Sequence, residues 1–292
     1  MNAKKSIQEV LSTIRIKQWA KNVFTLIPAP FLLHEGMLNE VAVLAFFCAG
    51  FCIAASSAYL INDTMDRQRD RLHPRKRYRA IASGRLSVRA AIIAAILFTI
   101  FSLEIGFVIS IQAGILLAGY LILSHIYTFQ LKHHSLVDVV IVGVLFSIRT
   151  FGGFLAVSYY PPGWELWVLL AGLIAFIVEL GKRKCEVQAL GNSSTTRRTL
   201  SFYSNKRLTQ MFSVGLVLVI LIYVPASISI APLFVFSGVL VLPGIWRYWH
   251  LISTQIEDVH PQRVIFADIQ MRFILIGFTA FFTLSTTLLA KN

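Results

Sequence analysis

The sequence predicts an all-α integral membrane protein, nine transmembrane helices forming one domain over residues 1–292. Three observations carry this. Apolar stretches near the ~20 residues needed to cross a bilayer recur along the chain. The composition leaves little for a soluble surface: 56% of residues are hydrophobic, 14% are charged, and mean hydropathy is +0.69. The basic residues sit almost entirely in alternate connections, as the positive-inside rule requires.

The spans are expected at 12–33, 38–62, 87–106, 109–128, 136–157, 165–184, 209–227, 230–249 and 270–290. In the first, Lys17 and Lys21 leave only Val23–Leu33 clearly apolar. The second ends on Asn62–Asp70, NDTMDRQRD, and Ser87 is placed to cap the third. The link between the third and fourth is so short that the two also read as one bent element. The sixth ends in ELGKRKCE, after which Asn192–Thr196 reads as a loop leading to a short segment around Tyr203.

With the N-terminus inside, the outer connections are HEGML, GFVISIQ, SYYPPGW and the turn around Pro225–Pro232, and none carries Lys or Arg. The connection after span 2 holds Arg67, Arg69, Arg71, Arg75, Lys76, Arg77, Arg79 and Arg85, and that after span 6 holds Lys182, Arg183, Lys184, Arg197, Arg198, Lys206 and Arg207. Lys132 and Arg263 fall in the remaining inner connections. An even number of spans would put a basic connection on the wrong side. The expectation is a multi-pass protein of a bacterial inner membrane, with the N-terminus and the active site cytoplasmic and the C-terminus outside.

The net charge of +13 is therefore an expression of topology and of an anionic substrate, and nucleic acid is excluded as a partner. Cys48, Cys52 and Cys185 are an odd count, two of them within a span, and read as packing residues. No cleavable signal peptide is expected, since the first 22 residues lack an early apolar core.

Asp63, Asp66 and Asp70 are three and four residues apart and share a helical face. Three carboxylates there repel one another unless a cation lies between them, and such hard oxygen ligands suit Mg²⁺ carried with substrate phosphates. A solvated acidic helix end is the plainer alternative, set against the scarcity of acidic residues and the basic run that follows. In residues 62–84 the carboxylates are followed by His73, Lys76, Arg77 and Arg79, so a metal and fixed cations can neutralise a diphosphate from two sides. The Arg run alone reads equally as anchoring to anionic lipid.

On span 6, Glu179, Lys182, Arg183 and Glu186 fall on neighbouring parts of one face, either as a salt-bridged helix end or as a second charged site. Asp138 and Arg149 on span 5 are three helical turns apart and face alike, as residues of a substrate path or as members of structural ion pairs. Tyr127 and Lys132 flank the end of span 4 on the inner side, and His125, His133 and His134 read as interfacial. Asp268 is a weaker candidate, completing the site or capping the last span. Arg15, Lys17, Trp19, Lys21 and Asn22 form a basic, aromatic interfacial patch, of which Lys21 and Asn22 can face a cavity.

NDTMDRQRD resembles the NDxxDxxxD motif of the UbiA superfamily of intramembrane prenyltransferases. The resemblance implies a nine-helix bundle around a central cavity open to the cytoplasm and an Mg²⁺-dependent site. RIKQWAKN, YTFQLKHHSLVDV, IRTFGGFLA, ELGKRKCE and PQRVIFAD extend it over almost the whole chain, and their sum is similar to the polyprenyl-phosphate (decaprenyl-phosphate) phosphoribosyltransferases. Ile16 and Ala80 stand where the family pattern favours proline.

Prenyl-diphosphate users have a second aspartate-rich motif at the end of span 6; this chain has Lys182, Arg183 and Glu186 there. Fixed cations suit the additional 5-phosphate of phosphoribosyl diphosphate. The resemblance thus implies a pentosyltransferase moving 5-phosphoribosyl from phosphoribosyl diphosphate to a polyprenyl phosphate, with the product feeding envelope polysaccharide. Mg²⁺ would lie on Asn62, Asp63, Asp66 and Asp70. Lys76, Arg79, Lys182 and Arg183 would hold the donor, with Lys21, Asn22, Tyr127, Lys132, Asp138, Arg149 and Glu186 completing the substrate site. The alternatives are transfer of an isoprenoid chain from a prenyl diphosphate to an aromatic acceptor, and a lipid-phosphate transporter.

Overall fold

The computed structural model describes residues 13–74, 76–190, 202–229, 232–254 and 268–289, and every regular element among them is helical. The α-helices are α1 (Ala29–His34), α2 (Leu38–Met65), α3 (Arg67–Arg71), α4 (Val88–Ile109), α5 (Ile111–Phe129), α6 (Val137–Val157), α7 (Trp164–Leu190), α8 (Asn205–Ile228), α9 (Gly238–Thr254) and α10 (Ile269–Leu289). Among the described residues seven helices are long and apolar enough to span a bilayer, against nine expected. The difference lies at the two ends. The first expected span is a 3₁₀ segment, Ile16–Leu26, followed by the short α1. Pro28 and Pro30 lack the backbone donors that a continuous helix needs there. At the other end, α10 has a shorter apolar part, Ile269–Phe282.

The chain's contacts group into two compact units. The first comprises residues 1–29, 38–132 and 148–159; the second comprises 30–37, 133–147 and 160–292. Helix α6 supplies its first half to the second unit and its remainder to the first.

In the first unit α2 packs on α4 through small residues. Ala91, Ala94 and Ala95 present one face to Leu60, with Ala80, Ile81 and Leu86 of the connecting loop closing the cluster. Small side chains let helix backbones approach closely in a membrane. Ser57 hydroxyl donates to the Ala95 carbonyl at 2.9 Å and ties the same pair of helices. As expected, Ser87 caps α4, accepting from the Ala90 N–H at 3.2 Å. α4 and α5 are separate helices joined at one extended residue, Ser110, which ends the first and caps the second by accepting from Ala113 N–H at 3.1 Å. Gly153 of α6 lies against the Thr25 carbonyl of the 3₁₀ segment, where a Cβ would collide.

In the second unit the α6–α7 contact is made by Gly143 and Gly172, with Ser147 hydroxyl donating to the Val168 carbonyl at 2.9 Å. Phe212 of α8 and Trp249 of α9 stack at 4.1 Å, and Lys184 Nζ lies 4.3 Å from the Trp249 ring centre. Phe234 forms an aromatic cluster with Trp167, Phe278 and Phe282.

Candidate functional site

The carboxylate face lies at the junction of α2 and α3. The helical hydrogen-bond pattern runs through this junction, Asp66 N–H to the Asn62 carbonyl at 2.9 Å and Asp70 N–H to the Asp66 carbonyl at 2.8 Å. Asp63, Asp66 and Asp70 therefore keep helical spacing, as their positions in the sequence predict. Asp63 and Asp70 are buried, while the Asp66 side chain retains 26% exposure.

Three cations of the chain itself meet these three carboxylates. Arg15 Nη2 donates to both oxygens of Asp63, at 2.5 and 2.7 Å. Arg79 Nη1 donates to Asp63 at 3.1 Å and to Asp70 at 2.7 Å, so two carboxylates converge on one nitrogen. Lys132, in the 3₁₀ turn Leu131–His133 after α5, donates from Nζ to the Asn62 side-chain oxygen at 3.2 Å and to Asp66 at 2.7 Å. Arg15, Arg79 and Lys132 offset the repulsion expected on this face.

This donor set fits Mg²⁺. Its oxygens converge in pairs, Asp63 with Asp70 and Asn62 with Asp66, each pair on one cationic nitrogen. Among the described residues no three His, Cys, Asp or Glu side chains enclose a metal ion by themselves. A pair of hard oxygens, with the remaining positions left to water and phosphate, is what Mg²⁺ ordinarily takes from a protein.

Arg15 was placed by sequence only in an interfacial patch. Its backbone is left-handed, φ 56° and ψ 50°. Ile16 is compatible with this, whereas proline at 16 would press the preceding residue toward extended conformations. Ser56 of α2 lies against the chain on both sides of Arg15: its hydroxyl accepts from Trp19 Nε1 at 3.0 Å and shares its proton between the Cys52 carbonyl at 2.8 Å and the Ile14 carbonyl at 3.1 Å. Arg15 also lies 5.0 Å from the Tyr59 ring centre.

Arg149 and Asn22 form a buried group in the same unit. Arg149 Nε donates to Asn22 Oδ1 at 2.8 Å and its Nη2 to Tyr120 hydroxyl at 2.7 Å. Asn22 Nδ2 donates to Cys52 sulfur at 3.3 Å. Lys21 and Tyr127 are half-buried and Lys76 is exposed.

Asp138 has a different set of partners from Arg149. In the second unit it pairs with Arg183 at 2.9 Å, both side chains fully buried, and accepts from Tyr203 hydroxyl at 3.0 Å. Arg183 also pairs with Glu179 at 2.9 Å and Glu186 at 2.5 Å, while Lys182, 46% exposed, pairs with Glu179 at 2.9 Å. The expected phosphate-binding Arg183 is thus the centre of a buried ion network, and its neighbour Lys182 is the accessible cation. Tyr203 hydroxyl accepts from the Leu136 N–H at 2.8 Å, and burial, followed by the Asp138 charge, raises its phenol above the usual value. Asp268 accepts from Arg247 at 2.9 Å and caps α10 through the Met271 N–H at 3.0 Å. The Arg247 hydrogen bond, then that N–H, hold its carboxyl below the usual range. The remainder of PQRVIFAD lies outside the described residues, as do Lys17's side chain, Arg75 and Asn192–Thr196.

The UbiA prenyltransferase family model matches residues 22–285. The chain belongs to the UbiA prenyltransferase family. Among its UbiA relatives, the decaprenyl-phosphate phosphoribosyltransferase of Mycolicibacterium smegmatis is 31% identical over 225 residues, covering 75% of this chain and 70% of the relative. The protein of the same name from Mycobacterium tuberculosis is 30% identical over 219 residues, covering 73% and 72%. A UbiA homologue of Archaeoglobus fulgidus, solved with GPP and Mg²⁺, shares the fold with a TM-score of 0.65 at 18% identity, over 96% of this chain and 99% of that one. The overall architecture is therefore the UbiA fold.

Proposed function

We propose that this UbiA-family transferase moves a 5-phosphoribosyl group from phosphoribosyl diphosphate to a polyprenyl phosphate, with Mg²⁺ at the α2–α3 carboxylate face. The observation that carries the reading is the juxtaposition of that face with Arg79 and Lys132, in a chain 31% and 30% identical, over 75% and 73% of its length, to two decaprenyl-phosphate phosphoribosyltransferases. A phosphate oxygen of the acceptor attacks the anomeric carbon, the bond from that carbon to the diphosphate oxygen breaks, and diphosphate leaves. The attacking oxygen is already ionised near neutral pH, so no general base is needed.

Asn62, Asp63, Asp66 and Asp70 would hold Mg²⁺, which when bound neutralises charge on the leaving diphosphate. Arg79 and Lys132 would add fixed positive charge beside it, and positioning with charge stabilisation supplies the catalysis. We assign Lys76 and Lys182 to the donor phosphates. Arg183 is read as a positioning residue for Lys182, through the Glu179 carboxylate that both cations share. Arg149, with Asn22, Lys21 and Tyr127, is assigned to the acceptor end, and Asp138 and Glu186 to keeping Arg183 in place. The end of α7 carries Lys182, Arg183 and Glu186 in place of a second aspartate-rich motif, which weighs against a prenyl-diphosphate donor.

In this reading the protein spans the bacterial inner membrane nine times within one catalytic domain. The interrupted N-terminal segment and α10 join the seven longer helices, the N-terminus and the site are cytoplasmic, and the C-terminus is outside. The product is a lipid-linked ribose phosphate for envelope polysaccharide. Membranes containing the protein, given labelled phosphoribosyl diphosphate, polyprenyl phosphate and Mg²⁺, should place label in the lipid phase. EDTA and Asp66→Asn should each abolish it. Transfer only from a prenyl diphosphate to an aromatic acceptor would overturn the assignment.

A further inference from the structure

Arg15 combines three features that packing alone does not require. Its backbone is left-handed, a conformation costly to a side chain with a Cβ, and Ser56 fixes the chain around it. Its guanidinium takes both oxygens of a buried aspartate through one terminal nitrogen. And the side chain is 23% exposed, so it is not sealed within the core. Strained backbone held in place by neighbouring groups is a feature of functional sites.

We propose that Arg15 is a substrate-positioning residue that exchanges partners: it neutralises Asp63 when the carboxylate face is free of metal, and it turns to the diphosphate when a divalent cation takes Asp63. This rests on the reading of that face as the metal–diphosphate site. A cation and Arg15 compete for the same two oxygens of Asp63, so the arginine opposes binding of metal alone. A metal that arrives with a diphosphate brings a new anion for the released guanidinium, whose planar fork suits phosphate oxygens. The Tyr59 ring, over which the Arg15 guanidinium carbon lies at 5.0 Å from the centre, gives the guanidinium a resting surface next to Asp63 through the exchange. The consequence is that metal and diphosphate bind cooperatively, and metal alone binds weakly.

The test measures two affinities of the full-length protein in nanodiscs: Mn²⁺ alone, by the loss of its free-ion paramagnetic resonance signal, and inorganic pyrophosphate in saturating Mn²⁺. Arg15→Gln should tighten Mn²⁺ alone by about fivefold, because the competing ion pair is gone. The same change should weaken pyrophosphate by roughly tenfold, the order of a lost charge-assisted hydrogen bond. Opposite shifts are the signature, since a merely structural role lowers both affinities together. Arg15→Lys retains the charge and loses the fork; it should leave Mn²⁺ affinity near that of the native protein and weaken pyrophosphate by less than Arg15→Gln. If Arg15→Gln does not fold, Arg15→Lys alone decides, and equal losses of both affinities refute the exchange. Unchanged or weaker Mn²⁺ binding in a folded Arg15→Gln protein also refutes it. A native protein that shows both affinities and transfers no phosphoribosyl group would remove the proposed reaction and leave the exchange standing.

Discussion

Arg183 is the residue on which the second unit is most exposed to a single change. Its guanidinium is fully buried and faces Asp138 at 2.9 Å, Glu179 at 2.9 Å and Glu186 at 2.5 Å. Of the three carboxylates only Asp138 is fully buried; Glu179 and Glu186 retain 12% and 27% exposure and can recover water. Arg183→Gln therefore strands one buried charge, which costs about 3–5 kcal/mol. Asp138→Asn leaves Arg183 with two glutamates and should cost only about 1–3 kcal/mol, the range for a lost partner that remains partly satisfied. At roughly 2–4 °C per kcal/mol for a chain of this size, Arg183→Gln lowers Tm by about 6–20 °C. Thermal unfolding of the purified protein, completed as a double-mutant cycle with Asp138→Asn, reads both the cost and a coupling of roughly 2 kcal/mol. A change below about 2 °C for Arg183→Gln, or strict additivity in the cycle, would refute the assignment of this network as a structural centre.

Other consequences follow from single contacts. Gly153→Ala should cost about 1–3 kcal/mol in thermal unfolding, because the new methyl group meets the Thr25 backbone carbonyl, which cannot move aside like a side-chain tip. Tyr203→Phe removes the hydroxyl that accepts from Leu136 N–H and donates to Asp138, and unfolding should report a loss of about 1–3 kcal/mol. Because the folded carboxyl of Asp268 is depressed below its ordinary 3.8, its contribution is complete above that value and disappears as pH falls through the lower, folded value. The Tm difference between the native protein and Asp268→Asn should accordingly be flat above about pH 5 and shrink below pH 4.

The spans were legible because a bilayer imposes a length and a polarity on each segment, and neither depends on which helix packs on which. Where the chain deviates, at 12–33, the reason was also local: Pro28 and Pro30 were readable as helix breakers, but the apolar run obscured them. The carboxylate face was legible for a related reason, since three- and four-residue spacing fixes a face whatever the partners are. Lys182, Arg183 and Glu186 show the limit of that reasoning. Their helical spacing was compatible with ion pairs within α7 or with a second charged site, and whether the arginine was buried or open depended on Asp138, which carries no mark of its partner in sequence.

What the sequence determined by itself was an α-helical membrane chain with Asp63, Asp66 and Asp70 on one helical face. These follow from periodicity and hydropathy, which are properties of neighbouring residues. What only the tertiary structure decided was the identity of the cations on that face. Arg15 reaches Asp63 across 48 positions and Lys132 reaches Asp66 across 66, and charge complementarity over such separations is set by packing, with no periodic signal to reveal it.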